Sequence, residues 1–152
     1  MSTDRFAEAE ALARESLEIR RAKLPPDHPR IAGSLLVLGR ILLRNNAAAS
    51  EPLLREALTI SKDKLPAEHR QVVTAQIELG HCLTSLGRFE EAEVVLLDVH
   101  ITIQRAFDES DISPLPPLIL ERLVSLYTAW NRPSDAERYR NLQRNSIIQD
   151  GG

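Results

Sequence analysis

Residues 9–39 read AEALARESLEIRRAKLPPDHPRIAGSLLVLG, and residues 50–80 repeat the same design as SEPLLREALTISKDKLPAEHRQVVTAQIELG. The two stretches align without a gap when one is shifted by 41 positions. Identical positions include apolar residues, the link Lys-Leu-Pro, a histidine shortly after it and the final Leu-Gly pair. Because turn residues and a glycine match as well as apolar positions, chance periodicity does not explain the alignment. The sequence therefore contains an internal repeat.

A third copy is weaker, and every copy has the pattern of two helices. The pair at 50–51 corresponds to 92–93 at a shift of 42, and that pair corresponds to 136–137 at a shift of 44. Apolar residues recur every three or four positions within the copies, which is the helical period. No run of alternating β-branched residues is found, so no sheet is expected. The pattern predicts an all-α fold, an αα-superhelix of about three helical hairpins plus an extra N-terminal helix.

The predicted organisation is a single domain over residues 1–152. Its first helix, at 4–24, looks like the second helix of a unit whose first helix is absent. Since each unit of a repeat array buries its apolar face by stacking, this end is predicted to be open. The last helix is polar enough to end an array, and the proline-rich stretch 108–117 is expected to be a surface loop. The predicted units are 30–65, 70–107 and 117–148, followed by a tail at 149–152.

Composition limits the classes of function. A chain of 152 residues with 43% apolar and 27% charged residues is typical of one globular domain that does not cross a membrane. Its formal charge of −3 gives no positive field to recruit nucleic acid. The first residues lack the apolar run of a signal peptide, so a cytoplasmic location is expected. Cys82 is the single cysteine, which excludes an internal disulfide.

No group of residues has the pattern of a catalytic or metal site. His28 and His69 recur at the same position of the link, which favours a structural duty such as capping the next helix or bonding a loop carbonyl. His81 and Cys82 are adjacent, and neighbouring helical residues point apart, so they lack metal-ligand spacing. No phosphate-binding loop or H-E-x-x-H motif is present. We therefore predict no enzyme activity, no cofactor and no metal.

Two glycines lie inside predicted helices at matching repeat positions. Gly39 and Gly80 each end a Leu-Gly pair, where a glycine costs up to about 1 kcal/mol relative to alanine. The absence of a Cβ lets two helix backbones approach closely, which compensates for that cost. We interpret both glycines as packing residues within a hairpin.

At these positions the sequence resembles the tetratricopeptide repeat proteins. The second unit carries Leu79-Gly80, Leu83, Gly87, Phe89 and Ala92 at the spacing of that family. The longer link, Lys-Leu-Pro-x-(Asp/Glu)-His, resembles the kinesin light chain branch, and the resemblance covers about residues 5–143. The sequence departs from the family pattern at Val124, where a glycine is usual, and at Asn46, which replaces the turn glycine.

The resemblance implies where a ligand would bind, because the first helix of each pair lines the concave side of such arrays. Arg40 and Arg44 share one helix face beside Leu36 and Leu43, and residues 30–46 contain no acid. This pattern suits an acidic peptide with an apolar anchor, although both arginines could equally be solvated. The groove residues implied by position are Gly33, Leu36, Arg40, Leu43, Arg44, Thr74, Ile77, His81, Thr84, Ser85, Leu118, Glu121, Ser125 and Thr128.

Two functions of different classes are consistent with these sequence features. The favoured one is a non-catalytic interaction module that binds a peptide segment of a partner protein in the concave groove. The alternative is a structural segment that stacks through its uncovered N-terminal helix, by self-association as a homo-oligomer or by docking within a larger protein. Neither function involves nucleic acid or a membrane.

Overall fold

The computed structural model describes residues 3–108 and 117–150, and all regular structure in them is α-helical. The predicted all-α class is confirmed. The helices are α1 (Thr3–Lys23), α2 (Pro29–Leu43), α3 (Ala47–Lys64), α4 (Arg70–Ser85), α5 (Phe89–Asp108), α6 (Pro117–Ala129) and α7 (Pro133–Asp150). Three antiparallel hairpins, α2/α3, α4/α5 and α6/α7, follow the lone helix α1 in the order of a repeat superhelix.

Two adjoining cores run through the stack. The first core lies among α1, α2 and α3 and includes Ala13, Leu17, Ile31 and Leu35. The second core lies mainly among α4 to α7. Leu58 of α3 packs against both cores and joins them. Each hairpin therefore buries its apolar side against its neighbours, which is how a repeat array is stabilised.

The C-terminal boundary differs from the prediction. Residues 149–152 were expected to form a tail, whereas α7 continues to Asp150, so the first two of them are helical. The reason is local, since glycines stand only at 151 and 152 and no helix-breaking residue comes before them. Of the predicted proline-rich loop, residues 109–116 lie outside the described residues.

The two link histidines cap the helices that follow them. His28 is the N-cap of α2, and its Nδ1 accepts a hydrogen bond from the backbone nitrogen of Arg30 at 3.1 Å. His69 does the same for α4, accepting from the backbone nitrogen of Gln71 at 3.1 Å. Each side chain thereby satisfies one of the amide groups left unpaired at a helix start. The predicted capping role of the repeated histidines is confirmed.

The two packing glycines lie where second helices cross first helices. A Cβ built on Gly39 would lie 2.8 Å from Cδ2 of Leu54, and one built on Gly80 would lie 2.5 Å from Cγ of Leu96. Real Cβ contacts are not that short, and both leucines are fully buried. The glycines therefore set the distance between helices in the first two hairpins, as the sequence indicates.

Candidate functional site

Two cavities lie side by side along the first helices of the hairpins. One has a volume of about 390 Å³ and is lined by residues of α2, α4 and α6 together with Arg44, the C-cap of α2. The other has a volume of about 310 Å³ and is lined by residues of α2 and α4 together with His69, the N-cap of α4. Val37 and Arg40 line both cavities, so the two cavities adjoin at these residues. We call these two adjoining cavities the first-helix groove.

The apolar part of the first-helix groove comes from α2. Leu36 and Leu43 are buried and also line the groove, so they form its floor. Val37 is 52% exposed, which is unusual for a large apolar residue beside a cavity. An exposed aliphatic side chain above a buried apolar floor can hold an apolar group of a ligand.

Four arginines and one buried acid give the first-helix groove its charge. Arg40, Arg44 and Arg122 line the larger cavity, and Arg70 lines the smaller one. The acid is Glu78 of α4, which is 5% exposed and lies 3.2 Å from the Arg40 Nε through its Oε1. This ion pair joins α2 to α4 across the groove. The lining is net positive, because a single carboxylate faces four guanidinium groups.

His81 lines the larger cavity beside Glu78, on the same helix α4. Its Nδ1 is 4.0 Å from Oε2 of Glu78. Burial lowers the pKa of His81 below its ordinary value, and the nearby Arg122 charge lowers it further, whereas Glu121 acts in the opposite direction. The imidazole is therefore neutral near pH 7 and adds no charge to the groove.

Acidification is expected to destabilise the fold through His81 and His100. Burial lowers the pKa of both histidines below 6.5, aided by Arg122 at His81 and by Arg138 at His100. The unfolded chain therefore takes up protons that the folded chain does not, and stability falls as the pH drops from 6.5 through the lowered values. Urea midpoints at about pH 7.5 and about pH 5.5 measure this loss.

The control for this prediction is the double variant His81→Asn with His100→Asn. Asparagine does not titrate, so the variant is expected to keep more of its stability on acidification over the same interval. An equal loss of stability in the parent and the variant would show that other groups cause the acid sensitivity.

The first-helix groove brings together half of the residues implied by the family resemblance. Gly33, Leu36, Arg40, Leu43, Arg44, Thr74 and His81 line it. Ile77 is buried in the second core instead, and Leu118 packs against that core. The hydroxyls of Thr84 and Ser85 donate to carbonyls of their own helix, and Thr128 also accepts from Arg140 of α7. The residues that line neither cavity are Ile77, Thr84, Ser85, Leu118, Glu121, Ser125 and Thr128.

Several lining residues were not predicted from the sequence. Glu78 looks like any exposed helical acid in the sequence, and only its burial reveals its place in the groove. Arg122 directly follows Glu121, the residue of α6 that the family resemblance placed in the groove. The repeat alignment carried a signal for His69, Arg70 and Gln71, since they open α4 where the link ends. The lining residues missed are Val37, Ile41, His69, Arg70, Gln71, Glu78 and Arg122.

Comparison with known proteins identifies the fold. Residues 1–63 match the family model of the tetratricopeptide repeat. A solved kinesin light chain-like protein of Podosopora anserina, with nearly identical TPR-like repeats, superposes at a TM-score of 0.72. The fold is that of the tetratricopeptide repeat proteins. The predicted resemblance to this family and to its kinesin light chain-like members is confirmed.

The structural match covers nearly all of this chain but only part of each solved protein. The Podosopora anserina protein is 23% identical to this chain over 95% of this chain and 68% of its own chain. A variant of the same protein gives a TM-score of 0.69 at 23% identity, over 94% of this chain and 66% of its own. This chain thus spans about two thirds of the length of those proteins. No curated protein matches the sequence.

Within residues 3–108 and 117–150, every helix is too short or too polar to span a bilayer.

Proposed function

We propose that this chain is a non-catalytic interaction module that binds a peptide segment of a partner protein in the first-helix groove. Tetratricopeptide repeats generally mediate protein–protein interaction. The observation that carries the proposal is the pair of adjoining cavities along α2, α4 and α6, with an apolar floor and a net positive wall. A groove of this form can hold an extended or helical segment. The module would act in the cytoplasm.

The proposed ligand carries acidic groups beside an apolar anchor. Arg40, Arg44 and Arg122 line one cavity, and guanidinium groups bind carboxylates through directed, charge-assisted hydrogen bonds. The neighbouring Leu36, Val37 and Leu43 offer an apolar surface for the anchor. Complementary charge would then orient the peptide, and apolar burial would supply most of its affinity.

Site-specific photo-crosslinking tests this proposal. Val37 in the groove and Val94 on α5 are both exposed valines, at 52% and 70%, and Val94 lines neither cavity of the groove. Each is replaced in turn by p-benzoylphenylalanine, and the protein is irradiated in lysate of its source. We expect protein adducts at position 37 and none above background at position 94. The same adducts at both positions, or adducts at 94 alone, would move binding off the first-helix groove.

A second candidate function is structural, and exposed apolar residues on α1 favour it. Leu12 and Ile19 are 59% and 46% exposed, which is high for large aliphatic side chains. An exposed apolar face of this kind can serve as a contact surface for another protein element. The chain would then hold an assembly together through α1, by self-association or by docking within a larger protein. Sedimentation separates the two forms, since only self-association depends on protein concentration.

A further inference from the structure

Helix α1 exposes residues whose repeat counterparts in α3 are covered. At the shift of 41, Leu12 corresponds to Leu53, which is half-buried against the first core, and Ile19 corresponds to Ile60, which is 8% exposed. Leu12 and Ile19 themselves are 59% and 46% exposed. They lie two helical turns apart on one side of α1. The same repeat positions are therefore apolar in both helices but covered in α3 alone.

Helix α2, the first helix of the same hairpin, packs over this side of α3. Leu53 and Ile60 pack in the core to which α2 contributes Ile31, Leu35 and Leu38. Among the described residues, the backbone of α1 lies close to α2 alone, and the side of α1 that carries Ala13 and Leu17 joins the first core. Within the part of the chain that the structure describes, no such first helix lies beside the side of α1 that carries Leu12 and Ile19.

An independent signal lies in the first turns of α1. Residues 5–10 read RFAEAE and residues 88–93 read RFEEAE, so the two stretches differ at one position. In the later copy this stretch follows the turn at the end of α4, where the backbone nitrogen of Arg88 donates to the carbonyl of Leu83 at 2.9 Å. The Arg88 Nε also lies 2.7 Å from Oε1 of Glu91. Helix α1 therefore begins with the sequence that, in α5, connects a second helix to the first helix before it.

We propose that the α1 face formed by Leu12, Ser16 and Ile19 binds one amphipathic helix of a partner protein. This helix resembles α4 and lies antiparallel to α1. This inference rests on the second candidate function and does not depend on the first-helix groove. A partner helix fits this face better than a first helix of a second copy, because α2, α4 and α6 are each already paired with the second helix of their own hairpin. The partner helix carries apolar residues every three or four positions, as α4 does.

A fusion of the chain with its own α4 sequence tests the proposal. A copy of residues 70–87 is placed directly before Arg5, so that it enters α1 as the original enters α5. If the added helix covers the exposed face, the midpoint of thermal unfolding rises by about 5 °C or more. A helical, soluble fusion with the midpoint of the parent chain would overturn the proposal.

Two controls test whether the rise in the unfolding midpoint depends on the α1 face formed by Leu12, Ser16 and Ile19. Leu12→Glu with Ile19→Glu is expected to leave the unfused chain nearly unchanged, since both residues are exposed, and to abolish the gain in the fusion. A fusion whose added copy has glutamine in place of Leu79 and Leu83 is expected to give no gain. If the unfused chain sediments as a dimer that Leu12→Glu with Ile19→Glu dissociates, the occupant is a second copy and the proposal is wrong.

The fusion experiment and the crosslinking experiment test separate proposals. Crosslinking at Val37 reports on the groove formed by α2, α4 and α6. The fusion instead adds a helix before α1 and leaves the groove residues unchanged. Adducts at Val37 together with an unshifted fusion would overturn the α1 inference alone. The reverse result would overturn groove binding alone.

Discussion

Gly80→Leu is expected to lower the free energy of unfolding by about 3 kcal/mol or more, a large part of the stability of a domain of this size. Even the first carbon of the new side chain would lie 2.5 Å from Cγ of Leu96. Leu96 is fully buried in the second core, so its side chain cannot turn away into solvent. Helices α4 and α5 must therefore separate, which loosens the second core. Urea unfolding followed by circular dichroism measures the change.

Gly33→Ala is the matched control for this prediction. Gly33 is also inside a first helix, but a Cβ built on it meets nothing nearer than Nη1 of Arg20 at 3.9 Å. Alanine has the higher helix propensity, so this variant is expected to gain up to about 1 kcal/mol. A Gly80→Leu variant as stable as the parent would show that α4 and α5 do not cross at Gly80.

Arg40→Glu with Arg44→Glu is expected to weaken capture of the partner about a hundredfold or more. Both arginines line the larger cavity, and reversal replaces two guanidinium groups by carboxylates that repel an acidic ligand. The effect is read as a dissociation constant, using the partner recovered by crosslinking at Val37. Unchanged affinity in this variant would remove the arginines from the binding site.

The buried Glu78 calls for a second variant and a charge-matched control. Arg40 lies 3.2 Å from Glu78, so Arg40→Glu also places two carboxylates together and is expected to cost stability. Arg40→Gln with Arg44→Gln avoids the repulsion and should still weaken binding. Arg140→Glu with Arg144→Glu makes the same change of charge on α7, away from the groove, and is expected to leave affinity nearly unchanged at physiological salt, where distant charges are screened.

The fold was predictable because the residues that end each helix repeat together with the apolar positions. Asn46 interrupts the apolar pattern, and in the structure its Oδ1 accepts a hydrogen bond from the backbone nitrogen of Ala49 at 3.0 Å and caps α3. Gly87 has a φ of +73°, a conformation that favours glycine, at the turn between α4 and α5. The end of α7 was harder to place, because no comparable signal comes before Gly151.

The site was less predictable, because periodicity does not decide which neighbour a helix face meets. Ile77 and His81 are one helical turn apart on α4, yet Ile77 is buried in the core and His81 lines the groove. The pairing of Arg40 with Glu78 joins two helices that are distant in sequence. A buried acid beside a cavity has no signature in a single sequence. Only the packing of α2, α4 and α6 reveals that their charged residues converge.

The proposed working surface of this repeat array is formed by its first helices. Amide chemical shifts of the isotope-labelled chain, recorded with and without the partner segment recovered by crosslinking, test this claim most directly. We expect the largest perturbations along α2, α4 and α6, centred on Val37, Arg40 and His81. Perturbations concentrated on the outer helices α3, α5 and α7, with those three residues unmoved, would contradict it.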